Sequence, residues 1–218
     1  MNDRRSSCYE AVALERRPIA PGDVRPPIER LDLKWWLALP TDAARPSDAP
    51  GDVTVVMQAE RPVSGSWPNW PVRTTVRRHH PWTYTEDLYN DGRRKLSFMN
   101  RILRLGITFE NNAAGEPTRL SITKSSSYPV GMGPERIGRS ATILGEPCDW
   151  FDMMPGVADV GHAQCRTADG VVLKDVQSIR GPLRNSLLAV RLSRSAVGLD
   201  AVLPPAAILA PATWGILD

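Results

Sequence analysis

The chain has 218 residues, 42% apolar and 23% charged, enough for one large domain or two small ones with a core of ordinary size. Its net charge of +3 is spread along the sequence, which argues against a nucleic-acid partner; the densest basic stretch is Arg73, Arg77, Arg78, His79 and His80, with Arg93, Arg94 and Lys95 further on. No apolar run reaches the roughly 18 residues of a transmembrane helix, and Met1–Cys8 has basic residues with no apolar stretch behind them, so no secretory signal is expected.

Residues 1–30 are read as a Pro-rich N-terminal arm, with Pro18, Pro21, Pro26 and Pro27 and a short helix around Cys8–Arg17. An antiparallel β domain is expected over 31–195. Leu31–Leu39 opens it, because Leu31, Leu33, Trp35, Leu37 and Leu39 alternate with Asp32, Lys34, Trp36 and Ala38; a short helix is the alternative. A Pro/Asp/Ala linker follows at 41–51. Asp52–Glu60 reads as a strand, with Val53, Val55, Met57 and Ala59 on one side and β-branched residues dense throughout. Arg61–Pro71 is a loop carrying Trp67 and Trp70; such tryptophans either stack on sugars or peptides or cap the core.

Val72–His80 alternates again, Pro81 interrupts, and Trp82–Tyr89 is an aromatic-rich strand. Asn90-Asp91-Gly92 signals a tight turn, since Asn and Gly accept positive φ, and Arg93–Phe98 returns. Met99–Leu105 fits a short helix or a bent strand. Gly106–Glu110 and Thr118–Lys124 read as strands, and 125–138 as a long Ser/Gly/Pro loop. A meander is expected next: strands at Ala141–Phe151, 161–167, 171–179 and Ser186–Arg194, with Asp169-Gly170 as a tight turn. Residues 196–218 form a Pro/Ala-rich tail packed on the domain, with a turn at Ala206–Leu209 and Trp214 against the body. The fold class is mainly β: a curved antiparallel sheet or open half-barrel with one or two short helices.

Chemistry-bearing residues are sparse. A hairpin over 148–165 turns near Pro155-Gly156 and sets Cys148 opposite Cys165. Facing Cα atoms about 4.5–5.5 Å apart suit a disulfide, worth about 3 kcal/mol at this loop length. Two buried free thiols in a cytosolic protein are the alternative. Cys8 is left over, either free or bonded between molecules. His162 lies three residues from Cys165, on the opposite face of a strand, and makes a poor dyad with it. His79 and His80 diverge in a strand, and neither they nor His162 with the cysteines have zinc spacing, so no metal or cofactor is expected. Glu146, Asp149, Asp152 and Asp159 gather around the hairpin, where solvated charge is the simpler reading. The glycines of Gly131–Gly138 lack phosphate-loop spacing, and no catalytic residue is assigned.

Leu144-Gly-Glu-Pro-Cys148, then Cys165-Arg-Thr-Ala-Asp-Gly-Val-Val-Leu-Lys174 and Ala189-Val-Arg-Leu192 carry a resemblance. The stretch from Ile143 to Trp214 resembles the C-terminal half of small bacterial envelope proteins with a lipoprotein-carrier-like fold, although this sequence has neither their leader nor their long N-terminal helix. The resemblance implies a half-barrel around an apolar cavity that holds acyl chains or packs against a partner. The leading expectation is therefore a non-enzymatic binding protein of the cell envelope, its concave face taking an apolar, lipid-like ligand or a protein segment. The inward candidates are Trp35, Met57, Val76, Trp82, Phe98 and Phe109. A structural subunit that uses its Pro-rich arms in a larger assembly, or a hydrolase with acids near 146–152, is the alternative. The cysteine pair favours the periplasm over the cytoplasm. The sequence specifies no oligomeric state.

Overall fold

The computed structural model describes residues 14–16, 49–60, 70–102, 105–124, 133–179 and 183–205. Leu31–Leu39 with Trp35, Trp67, the Ala206–Leu209 turn, Cys8 and Trp214 lie outside these residues.

The fold is one open antiparallel sheet of 12 strands. The strands are β1 (Leu14–Arg16), β2 (Val53–Ala59), β3 (Arg73–His79), β4 (Trp82–Leu88), β5 (Arg94–Asn100), β6 (Leu105–Asn111) and β7 (Pro117–Lys124), followed by β8 (Glu135–Ile143), β9 (Glu146–Asp152), β10 (Val160–Arg166), β11 (Val172–Ile179) and β12 (Leu183–Ser193). Their order is β1-β7-β6-β5-β4-β3-β2-β12-β11-β10-β9-β8. Two meanders, β2–β7 and β8–β12, thus join at the β2–β12 pair, where Ala189 faces Met57 and Leu192 faces Val55. The only helical piece among the described residues is one 3-10 turn, Leu199–Ala201.

Local turn chemistry accounts for most boundaries. Gly92 at φ 81° and Gly170 at φ 80° occupy the turns expected there. Two expectations are corrected. Leu14–Arg16, inside the expected helix, pairs along β7 instead, because the free edge of a sheet offers backbone partners to a passing extended segment. Ala141–Phe151 is two strands rather than one. Leu144 (φ 52°) and Gly145 (φ 78°) make a two-residue turn of the positive-φ kind that matches hairpin twist, and β8 starts at Glu135, within the expected loop. Of the two readings for Met99–Leu105, the described residues follow the strand one: Met99 and Asn100 end β5, Arg101 N–H donates to Pro81 O, and Leu105 starts β6.

Alternation within strands and register between them sort residues onto two faces. The turn at His80-Pro81, a cis bond, sets His79 opposite Trp82 and Val76 opposite Thr85. Trp82, Tyr84, Phe98, Ile107, Phe109 and Leu120 therefore share one face, and Val197 and Val202 pack into their cluster from beyond β12. Each such burial stabilises by roughly 1.5–3 kcal/mol. The other face carries Val53, Val55 and Met57 on β2 and continues as Thr74, Thr85, Asp87, Lys95, Ser97 and Thr108 across β3–β6. Val53, Val55 and Met57 belong to a second core with Leu187, Ala189, Val171, Leu173, Cys148 and Cys165.

The cysteines are bonded, with Cα atoms 5.4 Å apart. They are not directly opposite: Cys165 faces Trp150, and Cys148 lies diagonally, two residues along β9. The twist of paired strands shortens such diagonals enough for a bridge.

Candidate functional site

The threonine-rich face has a groove of about 370 Å³. One wall is Met57, Trp70, Pro71, Thr74, Val76, Asp87, Tyr89 and Lys95; the other is Gln164, Val172, Asp175, Gln177, Asn185 and Leu187. Register explains the convergence. Met57, Thr74, Asp87 and Lys95 stand abreast on β2–β5, while Leu187 faces both Ala59 and Asp175, and Asp175 faces Gln164. The β10–β11 turn is tied to β3 by Arg78, which donates to both the carbonyl and the carboxylate of Asp169.

Two carboxylates occupy the groove, and their surroundings act on them in opposite directions. Asp87 accepts a hydrogen bond of 2.7 Å from the Thr74 hydroxyl. Burial nonetheless pushes its carboxyl above the usual range; Thr74 and Lys95 pull it down, and the charges of Asp175 and Glu86 push it further up. Asp175 is also buried, which opposes ionisation, but His162, Gln164 and Gln177 outweigh burial and hold it below the usual range. His162 Nε2 lies 3.0 Å from its Oδ2, and Gln177 Nε2 donates to its Oδ1 at 3.1 Å. Tyr89 is pushed up to about 12, first by burial and then by the charge of Asp87. The indole nitrogen of Trp70 is buried without a hydrogen-bond partner among the described residues.

The groove thus offers amide and carboxylate groups that bond hydroxyls, two aromatic side chains, and a pair of acids whose environments drive their protonation apart. Among the described residues no three His, Cys, Asp or Glu side chains gather as metal ligands. No helix among them is long and apolar enough to cross a membrane.

The sequence candidates do not line one cavity. Met57 and Val76 border the groove; Trp82, Phe98 and Phe109 are packed on the opposite face of the sheet. Phe98 meets Tyr84 and Phe109 at centroid distances of 5.1 and 6.0 Å, the contacts of a packed core. Trp35 lies outside the described residues. The acids near 146–152 do not converge either. Glu146 is bound by Arg194, and Asp149 by Ser140 and Arg136; those donors hold both carboxyls below their usual range. Asp152 accepts from the Met154 backbone N–H. His162 and Cys165 do point to opposite faces, and the ring binds Asp175. Asp87, Gln164, Asp175, Gln177 and Asn185 carry no motif. Their one visible signal is that polar residues recur at positions which alternation assigns to a single side of β4 and β11.

No family model and no curated protein sequence matches the chain. Among solved structures the chain is similar to two crystal forms of PNGF-II. One match has 13% identity and a TM-score of 0.47, covering 71% of this chain and 30% of that one. The other has 14% identity and a TM-score of 0.44, covering 76% and 33%. The chain thus spans about a third of the length of those neighbours.

Proposed function

We propose that the chain binds a hydroxyl-rich ligand, a saccharide, in the groove between β2–β5 and β10–β12, and that it does so in an oxidising compartment such as the periplasm. One observation carries the reading: Asp87, Asp175, Gln164, Gln177 and Asn185 converge on one groove beside Trp70 and Tyr89. Carboxylates and amides can bond adjacent hydroxyls, and aromatic rings offer an apolar surface to sugar C–H groups. The volume is that of a small-ligand site, whereas the apolar recess beside it, lined by Val53, Val55, Val76, Val171 and Val172, holds only about 190 Å³. A polar ligand therefore fits better than an acyl chain. The Cys148–Cys165 bond supports the oxidising setting.

Titration calorimetry of the intact chain with neutral hexasaccharides of glucose, mannose and N-acetylglucosamine tests this. Binding of at least one is expected, weakened at least about tenfold by Trp70→Ala and by Asp175→Asn. No binding to any, or binding that both variants leave intact, overturns it.

The opposite directions in which their surroundings move the Asp87 and Asp175 carboxyls favour a second reading, hydrolysis of the bound saccharide. Asp87 would give its proton to the leaving oxygen as the glycosidic bond breaks, and Asp175 would take one from the attacking water. Release of reducing ends that Asp87→Asn abolishes while binding persists is the expected result; binding without turnover rejects it.

A further inference from the structure

A second groove of about 330 Å³ lies beside the first and shares Tyr89 and Lys95 with it. Its remaining lining is Arg93, Arg94, Glu110, Asn111 and Arg119, so four cations face one carboxylate. The internal pairings are uneven. Arg93 binds Asp91 in the adjoining turn and lies over the Tyr89 ring, 5.1 Å from its centroid. Arg94 and Glu86 approach only to 3.6 Å, and Arg119 and Glu110 to 3.7 Å, distances of loose ion pairs. Lys95 makes no ion pair or hydrogen bond among the described residues. Asn111 Oδ1 is buried without a hydrogen-bond donor among them.

Lys95 sits at the junction. Register sets it abreast of Asp87 on β4 and Glu110 on β6, so its stem leaves the same face as the first groove. A ligand crossing the junction would meet Asp87 and Asp175 on one side and the cationic pocket on the other. We propose that the second groove is a subsite for an anionic substituent, so that the preferred ligand is an acidic saccharide, carboxylated or sulfated. This rests on the saccharide reading of the first groove. Lys95 supplies the charge at the junction, Arg119 widens the positive surface, and the Asn111 side-chain oxygen accepts a hydrogen bond from a hydroxyl of the same sugar ring.

The test compares a galacturonic acid hexamer with its methyl ester, which keeps the backbone and removes the charge, and with a heparin-derived hexasaccharide as the sulfate arm. The acid or the sulfated probe is expected to bind at least about tenfold more tightly than the ester, with the preference shrinking as salt rises. Lys95→Met, which breaks no ion pair, should reduce that preference severalfold. Lys95→Met with Arg119→Met should abolish it. Which anionic probe retains sensitivity to these variants identifies the substituent. Equal affinity for charged and ester probes, or a preference that survives both substitutions, overturns the anionic subsite and leaves the saccharide groove standing. Absence of binding by all three probes and by the neutral hexasaccharides overturns both.

Discussion

Arg78 offers the sharpest test of how the groove is held together. Its residue is only 4% exposed. Nε donates to Gly51 O at 3.0 Å, Nη1 to Asp169 O at 2.9 Å, and Nη2 to the Asp169 carboxylate. Asp169 is also held by the Thr167 hydroxyl at 2.6 Å and by Arg194 at 3.0 Å, and Arg194 reaches on to Glu146. Arg78→Met keeps most of the side-chain length and removes every donor. Breaking a buried pair costs about 3–5 kcal/mol. Asp169 keeps Thr167 and Arg194, and its side chain is 27% exposed, so the lower end, about 3 kcal/mol, applies. For a chain of this size that lowers Tm by about 6–12 °C. Urea denaturation of the oxidised protein, followed by far-UV circular dichroism, measures the loss; a cycle with Asp169→Asn should give a coupling of about 1–3 kcal/mol. The pH dependence supplies a second check. Burial works against the Asp169 charge, but Arg194, Thr167 and Arg78 outweigh it and hold the carboxyl far below its usual range. A depressed carboxylate contributes stability above its unfolded pKa that is lost as pH falls toward its folded value. The wild-type protein should therefore lose more stability between pH 5 and pH 3 than Arg78→Met does. A loss under about 1 kcal/mol, additive with Asp169→Asn, would show that Arg78 is not the tie between β3 and the β10–β11 turn.

Removing the Cys148–Cys165 bond, which spans a sequence separation of 17, should cost about 3 kcal/mol in the chain-entropy model; a Tm unchanged by reductant would refute the staple. Leu144→Gly relieves an L-residue at φ 52° whose side chain is half exposed, and should raise stability by about 0.5–1 kcal/mol; destabilisation would mean that the leucine packs more than its exposure shows. Asp87→Asn keeps an acceptor for Thr74 and removes a carboxylate whose raised pKa disfavours the native state once it ionises. The variant should be more stable than wild type at pH 7, with the advantage shrinking as pH falls and Asp87 protonates; equal stability at pH 7 would contradict the burial.

The strands were legible because their signals are local. Alternating β-branched residues mark β2, and Asn90-Asp91-Gly92 and Asp169-Gly170 mark their turns, whatever the rest of the chain does. The β8–β9 turn was hidden because a leucine occupies a positive-φ position, leaving Gly145 as its only cue. Face assignment was less legible. Within a strand alternation sorts residues, but between strands the parity depends on where each turn falls. Trp82 and Val76 lie on opposite faces only because His79 is opposite Trp82. Size and hydrophobicity single out Trp82, Phe98 and Phe109 equally well for a cavity wall or a core, and here they build the core. The groove was illegible for a different reason. Asp87 and Asp175 are ordinary polar residues of half-buried strands, and they meet only because β12 pairs with β2, a contact between the two meanders.

That pairing also explains why the polar face is the informative one. An open sheet in water gains by covering both faces with apolar side chains. The aromatic face does so, down to Val197 and Val202. The other face does so only around β2, and then turns to Thr74–Asp87 and His162–Asp175–Gln177, buried polar groups whose desolvation cost valines would have avoided. Solvent exposure does not account for them, since burial shifts the protonation of Asp87 and counts against that of Asp175. Nor does strand pairing, because backbone ladders make no demand on these side chains. Meanwhile the disulfide and the Arg78–Asp169–Arg194 ties fix the β10–β11 hairpin that brings Asp175 to the groove. Stabilising contacts concentrated around a locally unfavourable polar cluster are the pattern expected where a face is kept for a ligand rather than for the core.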